Sequence, residues 1–169
     1  MTKFVKALCG VLALCLLFCS CSGSAKDQTV ECGELQLTIP NTYQNLSDQD
    51  YAAGFALLYG FENEAVLAIN ESRAALEPYY PNINAEKYAQ LLVETNQYDC
   101  QVGKLGELVT FTHAETVENQ ELTYLCGVFM SDANFWCVQF YCPTEDFGDN
   151  EAKFMGYLQK IQVQKTLTN

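Results

Sequence analysis

Apolar residues recur at two spacings along this chain, and the switches between them mark out its elements. In Glu34-Leu35-Gln36-Leu37-Thr38-Ile39 every second residue is apolar, which predicts a half-buried strand closed by Pro40. The polar, turn-rich stretch Asn41 to Asp50 reads as a loop. Phe55 to Tyr59 and Val66 to Ile69 are apolar on both faces, with Glu62-Asn63-Glu64 as a turn between them. They predict a hairpin covered on both sides. Pro78-Tyr79-Tyr80-Pro81 breaks the pattern and must be extended or turned. Asn84 then caps a predicted helix that carries Ala85, Tyr88, Leu91, Leu92 and Thr95 on one face. Gly103 and Gly106 punctuate a return to strand, where Val109, Phe111 and His113 share one face and Leu108, Thr110 and Thr112 the other. Leu122 to Met130 and Phe135 to Cys142 are long apolar runs joined near Asp132-Ala133-Asn134, the strongest hairpin signal in the chain. Asp146 or Asp149 is placed to cap a last helix carrying Phe154, Met155 and Leu158, and Ile161 and Val163 predict a short closing strand.

Two helices and about seven strands, several covered on both faces, imply an α+β domain. Its centre is an antiparallel sheet of about six to seven strands with helices packed on it. The order of these elements resembles the PsbP-like fold, an α/β/α sandwich. The points of likeness are a strand ending in Ile39-Pro40, a two-sided hairpin, a Tyr-containing helix, a long hairpin with Trp136 near its turn, and a C-terminal helix. The resemblance runs from about Glu34 to Val163 and is one of layout, with no motif that transfers residue by residue. It implies an accessory, binding or assembly protein and no enzymatic activity.

A different kind of segment precedes this domain. Lys3 and Lys6 make a short basic start, and Ala7 to Phe18 then run for 12 residues without a charge. That is short of the roughly 20 residues a bilayer-spanning helix needs, and it fits the core of a secretory leader. Leu17-Phe18-Cys19-Ser20-Cys21 resembles the bacterial lipoprotein signal, with Ser20 as the small residue before the cut and Cys21 as the lipidated new N-terminus. Cys19 fits less well because bulky Phe18 precedes it, and a leader that merely contains cysteines is the plainer reading. The expected organisation is a signal peptide over residues 1–20, a lipidated flexible tether over 21–31, and one domain over 32–169. Two acyl chains at about 0.8 kcal/mol per buried CH₂ would hold such a protein stably on a membrane, on its extracytoplasmic face.

Charge changes the picture of partners. The 169 residues carry 9 basic and 21 acidic side chains, and loss of Lys3 and Lys6 with the leader moves the net from −12 to −14. A chain this acidic excludes nucleic acid and does not attract anionic headgroups, so membrane attachment rests on the lipid. The expected partners are the membrane through that lipid, together with another envelope protein or a small ligand.

Candidate chemistry is sparse. Cys32, Cys100, Cys126, Cys137 and Cys142 remain in the domain without a Cys-x-x-Cys, which argues against a thioredoxin-like or zinc-ribbon site. They read as structural thiols with at most one or two bridges. His113 is the only histidine, so a small envelope hydrolase or thiol-redox enzyme would have to use it or one of these cysteines. Its place on an apolar strand face favours packing. Asp146, Asp149 and Glu151 lack the alternating ligands of a calcium loop, and no Gly-rich phosphate loop occurs, so neither a metal nor a cofactor is expected. Trp136, between Phe135 and Cys137, reads as core. Tyr79 and Tyr80 form the candidate partner-binding loop, stiffened by two prolines; the bland alternative is that both rings lie over the sheet and close the core.

Overall fold

The protein is described from a computed structural model, which covers residues 26–49 and 52–164. Its centre is strand β9 (Asn134–Pro143), which is buried along almost its whole length. Phe135, Trp136, Cys137, Val138, Phe140, Tyr141 and Cys142 supply both faces of this strand with apolar surface, so each face must be covered. β9 pairs antiparallel with β5 (Glu64–Ser72) on one side and β8 (Gln120–Met130) on the other. Outward from β5 lie β4 (Leu57–Phe61) and the two-residue β3 (Gln44–Asn45). Outward from β8 lie β7 (Leu108–Val117) and the short β6 (Gly103–Leu105). The seven strands follow the order β3-β4-β5-β9-β8-β7-β6, every neighbouring pair antiparallel.

Side chains that alternate along these strands sort into two cores. On one face Leu58, Leu67, Phe111, Tyr124, Cys126, Phe135 and Cys137 pack against α2 (Ala85–Asn96), mainly against Tyr88 and Ala89. On the other face Val66, Ala68, Leu125, Trp136, Val138 and Phe140 pack against Phe154 and Leu158 of α3 (Thr144–Leu158). This second face also receives a three-stranded sheet built from β1 (Asp27–Cys32), β2 (Leu35–Pro40) and β10 (Gln162–Val163). Its Leu35, Leu37 and Ile39 are fully buried, each contributing about 1.5–3 kcal/mol. Glu34, in the β1–β2 turn, ties the small sheet to the β8–β9 turn. Its Oε2 accepts from Ser131 Oγ at 2.7 Å, Asn134 Nδ2 at 2.9 Å and Trp136 Nε1 at 3.4 Å. Burial pushes the Glu34 carboxyl up, but these donors and the Ala133 backbone outweigh it and hold it below the usual carboxylate range.

The α+β architecture, the two-sided hairpins, the Asn84 cap and the closing strand match the sequence pattern. Asn84 Oδ1 accepts from the Lys87 backbone at 2.9 Å, and β8 and β9 meet at the Asp132-Ala133-Asn134 turn. Four details differ. First, the strands of the described residues form two sheets, ten strands in all, because β10 pairs with β2 across the second face. Second, residues 27–31, expected in the tether, form most of β1. Only Val30 of that strand is buried, so no alternation announces it, and pairing with β2 through the turn at Gly33 (φ 57°) creates it. Gln28 Nε2 fixes it further by donating to the Pro40 and Tyr43 carbonyls. Third, a one-turn helix, α1 (Arg73–Leu76), follows β5. Fourth, α3 starts at Thr144 after Pro143 with no side-chain cap, so neither Asp146 nor Asp149 caps it. Asp146 sits in the first turn, where the helix dipole favours its charge, and accepts from Asn63 Nδ2 at 2.6 Å. Cys21 and the leader lie outside the described residues.

Candidate ligand cleft

A 12-residue helix spans about 18 Å, whereas the strands β7, β8 and β9 beneath it run for 10 or 11 residues, over about 33 Å. α2 therefore cannot cover its face of the sheet, and an open cleft of about 290 Å³ remains beside it. Leu91, Leu92, Thr95 and Asn96 of α2 form one wall, and Ile69, Asn70 and Glu71 of β5 form the other. Phe111 and Gln139 make the floor, Gly54 and Phe55 close one end, and Tyr80 stands at the mouth.

Local structure sets each of these groups. α2 ends in a Schellman motif, in which Tyr98 N–H donates to the Val93 carbonyl at 3.0 Å and Gln97 N–H to that of Glu94 at 3.2 Å. Gln97 occupies the left-handed position (φ 59°) that glycine usually fills. The reversal brings Tyr98 under the helix, where its ring stacks on His113 at 3.8 Å and 11°. His113 stacks in turn on Tyr124 at 4.7 Å, and Tyr124 meets Tyr141 at 4.9 Å with its ring tilted by 30°. At the other end of α2, Tyr88 stacks on Phe135 at 4.7 Å and fixes the height of the helix over the sheet.

Gln139 is the polar residue in the apolar run of β9, and only 3% of it is exposed. Its Nε2 reaches no closer than 3.7 Å to Cys137 Sγ, and its Oε1 is buried without a hydrogen-bond partner. An amide oxygen left this way inside a protein costs about 1–3 kcal/mol. Among the described residues Glu71 is the only charged side chain lining the cleft. Burial, followed by the charge of this carboxylate, pushes the Tyr88 hydroxyl well above the usual tyrosine range. Burial and then Glu115 do the same to Tyr98.

The residues singled out in the sequence separate here. Tyr80 is at the cleft mouth, 42% exposed, while Tyr79 is 67% exposed and faces solvent; neither ring closes the core. Trp136 is buried in the second core. His113 is 5% exposed, and both of its ring nitrogens are buried without hydrogen bonds; Nδ1 is 3.8 Å from Glu115 Oε1. Burial lowers the His113 pKa to about 4, so the ring is neutral at pH 7. The five described cysteines are all free thiols. Burial pushes Cys32, Cys100 and Cys126 up, and Cys142 to about 11, the opposite of thiol activation. Gln139 and the α2 wall were missed from sequence. The available signal for Gln139 was a single amide inside Phe135 to Cys142. Among the described residues no three His, Cys, Asp or Glu side chains gather to hold a metal ion, and no helix is long and apolar enough to cross a membrane.

No protein-family model and no curated protein matches the chain in sequence. Solved structures do match in shape. CyanoP, the PsbP of the cyanobacterium Synechocystis sp. PCC 6803, superposes with a TM-score of 0.57 at 11% identity, over 87% of this chain and 98% of its own. A Bacteroides thetaiotaomicron protein gives 0.55 at 12% identity over 85% of this chain, which spans half of that protein's length. LpqN of Mycobacterium tuberculosis, described as involved in cell envelope biogenesis, gives 0.50 at 10% identity, over 84% of this chain and 92% of its own. At such identities the likeness is one of architecture, and the chain has the PsbP-like fold.

Proposed function

We propose that this protein is a lipid-anchored, extracytoplasmic binding protein of the bacterial cell envelope, attached through Cys21 and acting without catalysis. The observation that carries the binding role is the cleft between α2 and the sheet, open at Tyr80 and floored by the unpaired amide of Gln139. Clefts of this make, mostly apolar with a few convergent polar groups, are where small ligands settle. The envelope location rests on the basic start, apolar run and Ser20-Cys21 pair, with LpqN as an envelope protein of like shape. The neutral, stacked His113 and the raised thiols support binding over the hydrolase or redox alternative.

Two measurements test this. Cells expressing the chain are labelled with a clickable fatty acid and fractionated; the wild type is labelled and membrane-bound, and Cys21→Ser loses both properties. An acylated, membrane-bound Cys21→Ser product rejects the anchor. Leu92→Trp, which fills the cleft from the helix side, abolishes small-molecule binding measured by fragment-screening NMR. An equal set of binders in that variant rejects the cleft.

A further inference from the structure

Resting on the cleft reading, we infer that the ligand is a compact protonated amine with an apolar body. Two groups there face a ligand as acceptors, beside the buried Tyr98 hydroxyl, which can donate or accept. Gln139 Oε1 is buried and unpaired, and Glu71 presents a half-buried carboxylate from β5. Among the described residues no Lys, Arg or His lines the cleft, so none of them would neutralise a ligand carboxylate or phosphate. An anion placed between Glu71 and an unpaired carbonyl oxygen is repelled twice and desolvated without compensation.

A protonated amine meets the opposite conditions. It has only donors to offer, two acceptors to receive them and a carboxylate to balance its charge. Phe55, Phe111, Tyr80 and Tyr98 add aromatic surface, whose ring faces attract a cation and whose area accepts an apolar body. The chain's net charge of −12 raises the concentration of cations around it before any contact is made. The volume, about 290 Å³, lies at the small end of ligand sites and suits one ring or a short chain.

The test is calorimetric titration of the full-length chain in detergent at pH 7 with three probes of like shape: 3-phenylpropylamine, 3-phenylpropanol and 3-phenylpropionate. A parallel NMR fragment screen reports whether anything binds in the cleft. The amine binds at least tenfold more tightly than the carboxylate, with the alcohol between them. Glu71→Gln weakens the amine about tenfold and leaves the alcohol within twofold, while Gln139→Met weakens both. Tighter binding of the carboxylate, or amine binding that Glu71→Gln does not change, overturns the amine assignment. If cleft resonances move with other fragments but not with any amine, the amine assignment fails and the cleft stands. If nothing moves them, both fail.

Discussion

Replacing Gln139 by Met should make the ligand-free protein more stable, against the usual effect of a core substitution. Gln139 is 3% exposed, its Oε1 has no partner, and its Nε2 makes only a 3.7 Å approach to Cys137 Sγ. An unsatisfied buried amide oxygen costs about 1–3 kcal/mol, and a contact to sulfur at that distance returns little. Met has nearly the same length, leaves no cavity and carries no group needing a partner. The net expectation is a gain of about 1–2 kcal/mol. With a urea dependence of about 2 kcal/mol/M, the midpoint rises by roughly 0.5–1 M. The assay is equilibrium urea unfolding followed by circular dichroism, at matched slope for both proteins. Gln139→Ala serves as a control and loses stability, because it exchanges the orphaned oxygen for a void. An unchanged or lower midpoint for Gln139→Met refutes the reasoning, since it would mean that the amide is satisfied in the folded state.

His113→Phe keeps the stacking and removes the titration. Because His113 has a pKa of about 4 folded against 6.5 unfolded, the unfolded chain takes up its proton first, and stability falls as pH drops from 6.5 to 4, by up to about 3 kcal/mol. Burial raises Glu115, which gives the opposite slope and offsets part of this loss, so Glu115→Gln steepens the acid decline while His113→Phe flattens it. Urea midpoints measured at pH 4, 5, 6 and 7 decide the matter; parallel profiles for the wild type and His113→Phe contradict it. Glu34→Ala removes the acceptor shared by Ser131, Asn134 and Trp136 and lowers stability by about 1–2 kcal/mol, with a shift in the emission of Trp136, the single tryptophan. An unshifted emission spectrum would show that the network does not persist in solution. Gly127→Ala sets a Cβ 2.8 Å from Leu158 Cδ2 and 3.1 Å from Phe129 Cε2, so the buried Leu158 side chain must shift and the thermal midpoint falls by the equivalent of about 1–3 kcal/mol. A midpoint within 1 °C of wild type shows that Leu158 repacks freely.

What could be read from the sequence were the elements that bury surface on their own account. The runs Leu122 to Met130 and Phe135 to Cys142 are two-sided because both faces of β9 are covered, and the Asn84 cap and apolar face of α2 are local signals. β1 escaped because its strand character comes from its partner, through Gln28 and the turn at Gly33, and not from its own apolar residues. The start of α3 was misplaced because acidic residues serve a first turn as well as a cap, and Asp146 does the former. Tyr80 was visible as a candidate, whereas Tyr79 beside it faces away from the cleft, a distinction that two adjacent tyrosines cannot express in sequence. The cleft itself arises from a mismatch of lengths between α2 and the strands below it, a relation between distant segments.

The three-stranded sheet also bears on the proposed lipid anchor. β1 begins at Asp27, and the six peptide steps from Cys21 reach at most about 20 Å. If Cys21 carries lipid as proposed, the start of β1 stays within that distance of the bilayer surface. α2 lies on the opposite side of the large sheet. The cleft beside α2 would then lie across the large sheet from the tethered strand.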